Sequence, residues 1–444
     1  SDSGNQMRNI AEQIFLAGVE QVLPDRLLRS QLRFEQGRLR IGNRTLPPFR
    51  KLFVLAAGKA AASMAKEAEE ILGDRITAGH VLTKYGHGLP LKRLTVSEAG
   101  HPLPDAAGVE ATRRLLAIAR QAQEGDLLLC LLSGGASALM TDLPEGCSLD
   151  ELILANDLLV KSGADIAAIN TLRKHVSAIK GGQLAVAAAP ANVVSLILSD
   201  VVGDDPGVIA SGPTAADPTT YADAWSVLER YGLLDRFPAS LRTHLQKGRE
   251  GLRNETPKPG DPIFNNVLNY MLGNNRLALE GAARKAASLG FETHILTDGL
   301  QGDVTDVEGY ILQAIRSFAE TGGRKPRCLL LGGEPTLNVS GTGLGGRNQH
   351  LALRLALKMD PGKGITLLCA GTDGTDGPTD AAGAVVDGKT CIDAQLMHIH
   401  AIDYLHRFDS YSFFQQVGGH IFTGSTRTNV MDMVVVLIPI NSNM

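Results

Sequence analysis

Short apolar runs that end in glycine-rich or small-residue turns constrain the fold of this chain more than any other feature. Three of them lie in the first half, at Leu52–Ala56, Leu127–Leu132 and Val193–Leu198, separated by helix-like stretches. Continuous apolar strands that alternate with helices are typical of a parallel sheet covered on both faces. Ligands bind such sheets at the carboxyl ends of the strands. We therefore expect an α/β fold whose functional residues lie on these turns.

The second half continues in the same style and predicts a second α/β domain. Its apolar runs include Cys328–Leu331, Ile365–Cys369 and Val434–Pro439. Residues 236–262 are rich in glycine, proline and charge, which predicts a loop or linker. Because domains usually hold about 100–200 residues, the 444 residues predict two: an N-terminal domain over 1–240, which need not be continuous, and a C-terminal one over 241–444.

Charge and cysteine content exclude several classes of protein. The net charge of −4 and the pI near 6.3 argue against nucleic-acid binding, which needs a basic surface. No apolar run approaches the roughly 18–20 residues that span a bilayer, so we expect no membrane insertion. The five cysteines are isolated and form no CxxC pair, which favours neither a zinc site nor a disulfide framework. We expect a cytoplasmic enzyme.

Two turns of the first half combine backbone donors with side chains suited to an anion. Lys59 ends the turn Ala57-Gly58-Lys59 at a helix start, where N–H groups favour anions. The turn is not a P-loop, because the upstream glycine is missing and Ala60 replaces the hydroxyl residue. Ser133-Gly134-Gly135-Ala136-Ser137 allows close approach of a phosphate and adds hydroxyl donors. Without a function, Lys59 would be a solvated lysine at a helix start, and the second turn would be a tight connection between strand and helix.

Carboxylates follow three of the apolar runs. They are Asp200, Glu334 and Asp373. Acids are rarely placed after fully apolar strands without a partner. Metal binding or activation of a hydroxyl would suit them, and a helix cap or turn is the alternative for Asp200. Asp373 shares its turn with Asp376 and Asp380, which suits a Mg²⁺-phosphate site or a general base.

A glycine-rich segment, 341–346, precedes Arg347 and a helix. It contains GxGxxG, but it lies late in the chain and lacks the following acid, so it is weak as a dinucleotide motif. It is stronger as an anion-binding helix start. Phosphoryl transfer needs cations that neutralise phosphate charge and carboxylates that hold Mg²⁺ and accept the hydroxyl proton. The chain supplies such cations in Lys59 and Arg347 and such carboxylates in the three acids. The GxSxG turn of many hydrolases is absent from the sequence.

Longer motifs surround these turns, at Leu131–Met140, Leu198–Thr214, Gly332–Thr336, Gly345–Gln349 and Ala370–Ala384. With them the chain resembles the class II glycerate kinases, or glycerate 2-kinases, over about residues 8–438. The resemblance implies ATP-dependent, Mg²⁺-assisted phosphorylation of D-glycerate to 2-phosphoglycerate. It also implies a Rossmann-like first domain, a second α/β domain with a mixed sheet, a MOFRL segment over about 325–440 and an active site in the cleft between the domains.

The resemblance places functional residues at Lys59, Asp200, Glu334, Arg347, Asp373 and Asn429. We assign phosphate charge to Lys59 and Arg347, and the role of base or Mg²⁺ ligand to Asp200 or Asp373. Together these four are the expected catalytic residues.

The remaining positions are expected to bind ligands. Glu334 and Asn429 would position ligand or metal, and Mg²⁺ itself is assigned to Asp200 and Glu334. Arg173 is a further candidate for the substrate carboxylate. The hydroxyls and backbone of the turn from Ser133 to Ser137 would contact substrate or nucleotide.

The chain departs from the family pattern near its end. The pattern resembles TGPTGTNVND, whereas this chain reads TGSTRTNVMD, with Ser425 for proline and Arg427 for glycine. Arg427 is expected to alter the fit of nucleotide or substrate.

Three alternatives remain open on the sequence alone. The first is an NAD(P)H-dependent hydroxypyruvate reductase, which needs a nicotinamide site. The second is a nucleotide sensor without catalysis, against which the acids count. The third is a glycerate kinase that forms the 3-phosphate, because both products need the same charges. A homodimer is one candidate oligomeric state, which the sequence does not decide.

Overall fold

The structure is a computed structural model that describes residues 2–440. The strands are β1 (Leu32–Glu35), β2 (Arg38–Ile41), β3 (Arg44–Thr45), β4 (Leu52–Ala57), β5 (Ile76–Lys84), β6 (Thr95–Ala99), β7 (Leu127–Leu132), β8 (Asn192–Leu198), β9 (Val267–Gly273), β10 (Glu292–Asp303), β11 (Arg327–Thr336), β12 (Thr366–Gly371), β13 (Gly383–Asp387), β14 (His420–Ile421) and β15 (Asp432–Ile438).

The α-helices alternate with these strands along most of the chain. They are α1 (Asp2–Gln21), α2 (Pro24–Gln31), α3 (Ala61–Leu72), α4 (Ala106–Gln121), α5 (Ala136–Leu139), α6 (Leu149–Lys161), α7 (Ile166–His175), α8 (Gln183–Ala188), α9 (Tyr221–Arg230), α10 (Ala239–Arg249), α11 (Asn275–Ser288), α12 (Val304–Ala319), α13 (Arg347–Ala356), α14 (Thr390–Leu396), α15 (Ala401–His406) and α16 (Ser410–Val417). None of the helices between residues 2 and 440 combines the length and apolar character needed to span a bilayer.

The contacts divide the chain into two compact units, which we call the parallel unit and the mixed unit. The parallel unit comprises residues 27–199 and 204–272, and the mixed unit comprises the residues up to Arg26, 200–203 and those from Gly273 onward. The boundary near residue 240 stays a prediction, because a grouping of contacts does not show which segment folds alone.

The parallel unit is built on a six-stranded sheet in the order β6-β5-β4-β7-β8-β9. The pairs from β6 to β8 are all parallel. Every residue of β4 and β7 is buried, as expected for central strands of a sheet covered on both faces. Parallel strands end at the same edge, so the turns after β4, β6 and β7 all lie at one edge of this sheet.

A helical layer completes the parallel unit. Helices α6, α7, α9 and α10 pack around an apolar cluster that includes Leu152, Leu172, Val227 and Leu241. The sequence determines where the first two begin. Ser148 and Glu151 form a capping box at the start of α6, and the Asp165 carboxylate accepts from an N–H in the first turn of α7.

The prediction of a loop or linker over residues 236–262 is wrong in part. Residues 239–249 form helix α10, and Leu241 and Leu245, four residues apart, are fully buried. Their spacing places both on one face of the helix, which packs against the apolar cluster. The remaining residues of 236–262 outside α10 form turns and irregular backbone.

The mixed unit is built on a second six-stranded sheet in the order β10-β11-β15-β12-β13-β14. β10 and β11 are parallel, whereas the other registered pairs are antiparallel. The N-terminal helix α1 packs against α11 so closely that a Cβ on Gly18 would lie 2.7 Å from the backbone oxygen of Ala278. The predicted α/β fold, with a parallel sheet and a second mixed sheet, is confirmed.

Candidate functional site

The turns after β4 and β7 are hydrogen bonded to each other. Lys59 N donates to Gly134 O at 2.8 Å, and Ser133 N donates to Ala57 O at 3.1 Å. Gly58 has a φ of 131°, and a Cβ there would lie 2.1 Å from Ser133 Oγ. Only glycine permits both this conformation and this approach. The structure therefore places Lys59 beside the glycines of the second turn.

The two serines of that turn have different surroundings. Ser133 is buried, and its hydroxyl accepts from Ala60 N at 3.2 Å, so its oxygen joins the two turns. Ser137 Oγ lies 2.8 Å from Ser211 Oγ and lines a cavity together with Arg173. Of the two hydroxyls, that of Ser137 is therefore the one placed to reach a ligand.

His101 lies in the same neighbourhood and was not singled out from the sequence. A Cβ on Gly135 would lie 3.1 Å from His101 Nε2 and 3.2 Å from Lys59 Cγ. Burial, with the charges of Lys59 and Lys84, lowers the pKa of His101 to about 4. The imidazole is therefore neutral at neutral pH. The signal in the sequence was its position just after β6, at the same sheet edge as the two turns.

In the mixed unit, Arg347 is the first residue of α13 and is held by two carboxylates. Its Nε and Nη2 donate to the two oxygens of Asp432 at 2.6 and 3.0 Å. Its Nη2 also lies 3.3 Å from Glu334 Oε1. Burial opposes the charge of Arg347, but the hydrogen bonds and charge of Asp432, with Glu334, raise its pKa above the ordinary value. The guanidinium is fixed in orientation and permanently charged.

Glu334 lies in a concentration of negative charge. Burial raises its pKa, Arg347 opposes the shift, and Asp432, Asp200 and Asp373 add to it. The predicted acids Asp200, Glu334 and Asp373 therefore lie close enough to interact electrostatically. Sequence reasoning missed Asp432, which begins β15 opposite Gly333 and Gly371 and could have been found from its position at a strand end.

These carboxylates fit a magnesium ion that shares its ligands with a substrate. Among residues 2–440, no three His, Cys, Asp or Glu side chains are grouped as a complete metal site. Mg²⁺ is usually held by one or two carboxylates and completes its shell with water and phosphate oxygens. The raised pKa of Glu334 beside Asp200 indicates a place where a cation would relieve repulsion. Assignment of Mg²⁺ to Asp200 and Glu334 stays a prediction.

Asp376 holds the helix that carries Arg347. Its carboxylate accepts from the backbone N–H groups of Asn348 and Gln349 at 2.9 and 2.8 Å. The side-chain amides of the same two residues donate to it at 3.2 and 3.0 Å. Because α13 has no side-chain cap of its own, Asp376 supplies the cap from the neighbouring turn. It thereby fixes the first turn of α13, including Arg347.

The loops that contain Asp373 and Asn429 contact each other. Asp373 Oδ1 accepts from Thr375 N at 3.0 Å, and Asp373 O accepts from Thr426 N at 3.2 Å. Asn429 Oδ1 accepts from Met431 N at 3.1 Å, so this side chain shapes its own loop. Ser425 is exposed in the same loop.

Comparisons with known proteins agree over most of the chain. The family model described as "Domain of unknown function (DUF4147)" matches residues 10–246, and the model of the MOFRL family matches residues 327–432. A glycerate 2-kinase of Pyrococcus horikoshii is 43% identical over 87% of both chains. A D-glycerate 2-kinase of Thermotoga maritima is 40% identical over 97% of this chain and 98% of the relative.

Some relatives have a different name, and solved structures share the fold. A putative hydroxypyruvate reductase of Agrobacterium vitis is 39% identical over 88% of both chains. The crystal structure of glycerate kinase from Thermotoga maritima superposes with a TM-score of 0.85 at 39% identity, over 98% of this chain and 100% of that one. The resemblance inferred from the motifs is confirmed. The chain belongs to the glycerate kinase family in which a DUF4147 domain is followed by a MOFRL domain.

Proposed function

We propose that this protein is a D-glycerate 2-kinase, which transfers the γ-phosphate of ATP to the 2-hydroxyl of D-glycerate. The observation that carries the proposal is the Arg347 guanidinium, fixed by Asp432 beside a group of acids on glycine-rich turns. Phosphoryl transfer depends on placing such charges more than on covalent chemistry by the protein. The names of the glycerate 2-kinase relatives support the substrate.

The proposed roles follow from charge and position. Lys59 and Arg347 neutralise oxygens of the transferred phosphoryl group. Asp200 or Asp373 accepts the proton of the 2-hydroxyl. That oxygen then bonds to the γ-phosphorus, the bond to the β–γ bridging oxygen breaks, and ADP leaves. Glu334 and Asp200 would hold Mg²⁺, which neutralises phosphate charge when bound.

The activity is tested by ADP formation from ATP, Mg²⁺ and D-glycerate. Phosphorus NMR identifies the product, because a phosphate on C2 couples to one proton and gives a doublet, whereas a phosphate on C3 couples to two. No ADP at millimolar glycerate would refute the kinase, and a triplet would show the 3-phosphate instead.

The cationic roles are tested by substitution. We expect Lys59→Ala and Arg347→Ala each to lower kcat by about 100-fold or more, the usual effect of removing a group that stabilises developing charge. Arg120→Ala is the matched control, because this arginine is exposed on α4 and belongs to neither cluster. Near-wild-type turnover of either first variant would contradict its assigned role.

Hydroxypyruvate reductase is the second candidate, favoured by the names of two Agrobacterium vitis relatives. NADH fluorescence separates the two functions, since a reductase quenches or shifts it on binding and a kinase leaves it unchanged. We also propose a cytoplasmic location, because all five cysteines are unpaired. Light scattering would decide whether the protein is a homodimer.

A further inference from the structure

The parallel unit contains a cavity of about 540 Å³ that the proposed chemistry leaves unassigned. Helices α6 and α7, the segment Pro102–Pro104 and the residues from Ser137 to Asp142 line it. Its wall is mostly apolar, with Leu103, Leu152 and Ile153 among the lining residues. A cavity of this size and character is typical of a drug-sized or cofactor-sized ligand with a large apolar surface.

Two cations, Arg173 and Lys180, line the cavity together with the acids Asp142, Asp150 and Asp157. The Arg173 guanidinium has no hydrogen-bond or ion-pair partner among residues 2–440, although it is largely buried and its pKa is lowered by that burial. The most buried of these acids, Asp142, already accepts from Ser177 Oγ at 2.7 Å and from Ala178 N at 2.5 Å. A mostly buried cation without a partner is costly unless an anion binds beside it.

Lys180 strengthens the case for an anion. Its Nζ donates to Met140 O at 2.6 Å inside the unit. Burial lowers its pKa to about 8, with Asp142 opposing the shift and the neighbouring charge of Arg173 adding to it. Of the three acids in the wall, Asp150 and Asp157 are exposed, and Asp157 pairs with Lys161 at 2.9 Å. Away from solvent the wall therefore holds two cations and one carboxylate, and a bound phosphate would offset the excess positive charge.

Another part of the wall offers a neutral polar group. Asn156 lies on the same face of α6 as Leu152, Ile153 and Val160, and all four line the cavity. Its side-chain amide has no hydrogen-bond partner within the described chain. An asparagine amide both donates and accepts, which matches the exocyclic amine and adjacent ring nitrogen of adenine.

We propose that this cavity binds the adenosine phosphate portion of ATP, with Asn156 on the adenine edge, α6 against the base and Arg173 on a phosphate. The inference rests on the proposed kinase function, which supplies ATP as a substrate. It assigns Arg173 to the nucleotide instead of the glycerate carboxylate. Glycerate, a three-carbon acid with oxygen on every carbon, has no apolar surface to cover the walls.

Binding of ADP, measured by calorimetry with MgCl₂ and without glycerate, tests the cavity directly. We expect Asn156→Ala, and Ile153→Trp, which fills the cavity, each to raise the Kd for ADP at least about tenfold. Asn254→Ala is the matched control, because Asn254 is exposed in the same unit and does not line the cavity. Circular dichroism melting confirms that each variant is folded.

Base specificity gives a readout that loss of folding does not imitate. The carboxylate of Asn156→Asp accepts from the ring N–H and exocyclic amine of guanine but repels the acceptor nitrogens of adenine. We expect the ratio of Kd for GDP to Kd for ADP to fall at least about tenfold in this variant. An unchanged ratio, with unchanged ADP binding in Asn156→Ala and Ile153→Trp, would overturn the proposal.

Steady-state kinetics separate this proposal from the kinase itself. Arg173→Ala should raise KM for ATP about tenfold or more and leave KM for D-glycerate within about twofold. A rise in KM for glycerate alone would assign the cavity to the acceptor and overturn the inference. ADP binding that depends on Asn156 and Ile153 in a protein without kinase activity would support the cavity and refute only the proposed function.

Discussion

Arg427 adopts a left-handed backbone conformation, with a φ of 66°, where the family pattern has glycine. A residue with a Cβ costs roughly 1–2 kcal/mol in that conformation, whereas glycine loses about 0.5–1 kcal/mol more backbone entropy on folding. The side chain is exposed. We expect Arg427→Gly to raise the free energy of unfolding by up to about 1 kcal/mol in urea titration. Arg427→Ala keeps the Cβ and should bring no gain; an equal gain there would contradict a backbone origin.

Asp376 predicts a pH dependence of stability. Burial raises its pKa from the usual 3.8 to about 6, against the hydrogen bonds that lower it. Between pH 3.8 and about 6, the folded state binds the proton of Asp376 more tightly than the unfolded state does. The contribution of Asp376 to the free energy of unfolding is therefore greatest at low pH and is lost as the pH rises through about 6.

Urea unfolding of the wild type and of Asp376→Asn, which cannot titrate, measures this effect. We expect the free energy of unfolding of the wild type, relative to the variant, to fall by about 1 kcal/mol between about pH 5 and pH 7. Parallel pH profiles of the two proteins would show that Asp376 does not titrate in this range. Asp376→Asn should also be the less stable protein at neutral pH, because its amide N–H₂ faces hydrogen-bond donors.

For single residues, the sequence predicts those that directly follow apolar strands and misses those that hold such residues in position. Lys59, Glu334 and Arg347 were predicted because each stands on or just after a glycine turn. Asp432 was not predicted, and Asp376 was predicted only as part of an acidic cluster and not as the cap of α13, because their roles depend on which groups lie opposite, and that is decided by the pairing of distant strands. Local periodicity contains no information on such pairing.

Among the elements, the three apolar strands of the first half were predicted within a residue, whereas β11 runs five residues beyond its predicted end at Leu331. β7 coincides with Leu127–Leu132, and β4 extends one residue beyond the predicted end at Ala56. Helix α10 was missed because Gly248 and its charged neighbours resemble a loop. Glycine is required there, since a Cβ on Gly248 would lie 2.3 Å from atoms of the Tyr221 ring. Close packing between helices, which the sequence does not show, overrides the low helix propensity of glycine.

A pair of helical glycines tests how closely α1 packs. A Cβ on Gly18 would lie 2.6 Å from Met433 Cε and 2.7 Å from Ala278 O, whereas one on Gly309 in α12 would meet nothing within 4 Å. We expect Gly18→Ala to lower the free energy of unfolding by about 1–3 kcal/mol through overpacking. Gly309→Ala should raise it by up to about 1 kcal/mol through helix propensity. Urea unfolding of both variants checks the opposite signs, and a gain for Gly18→Ala would rule out the tight contact.

For the whole molecule, the predicted class of fold is confirmed, but the path of the chain could not be predicted. Parallel and mixed sheets follow from patterns within segments. The return of residues 200–203 to the mixed unit, and the packing of α1 there, depend on contacts across hundreds of residues. Arg8 of α1, for example, pairs with Asp387 at 2.9 Å. A pattern read along one segment cannot identify such a partner.

This path predicts that the mixed unit is incomplete without its N-terminal helix. Ile14 and Phe15 of α1 are fully buried, and the Thr428 hydroxyl donates to Val22 O at 2.7 Å. A fragment of residues 273–440 should therefore expose apolar surface and unfold at lower urea than the same unit in the intact chain. A synthetic peptide of residues 2–26 should restore stability in a saturable manner, followed by circular dichroism.

Two peptide variants make the test specific. Phe15→Ala removes a fully buried ring, which typically costs about 3–5 kcal/mol, so its Kd for the fragment should rise more than about 100-fold. Leu16→Ala changes the next residue, which is 40% exposed, and should bind within about tenfold of the parent peptide. Equal weakening by both would mean that the peptide binds without adopting the face that α1 presents in the intact chain. A fragment already as stable as the intact unit, with no response to peptide, would show that α1 adds nothing to this fold.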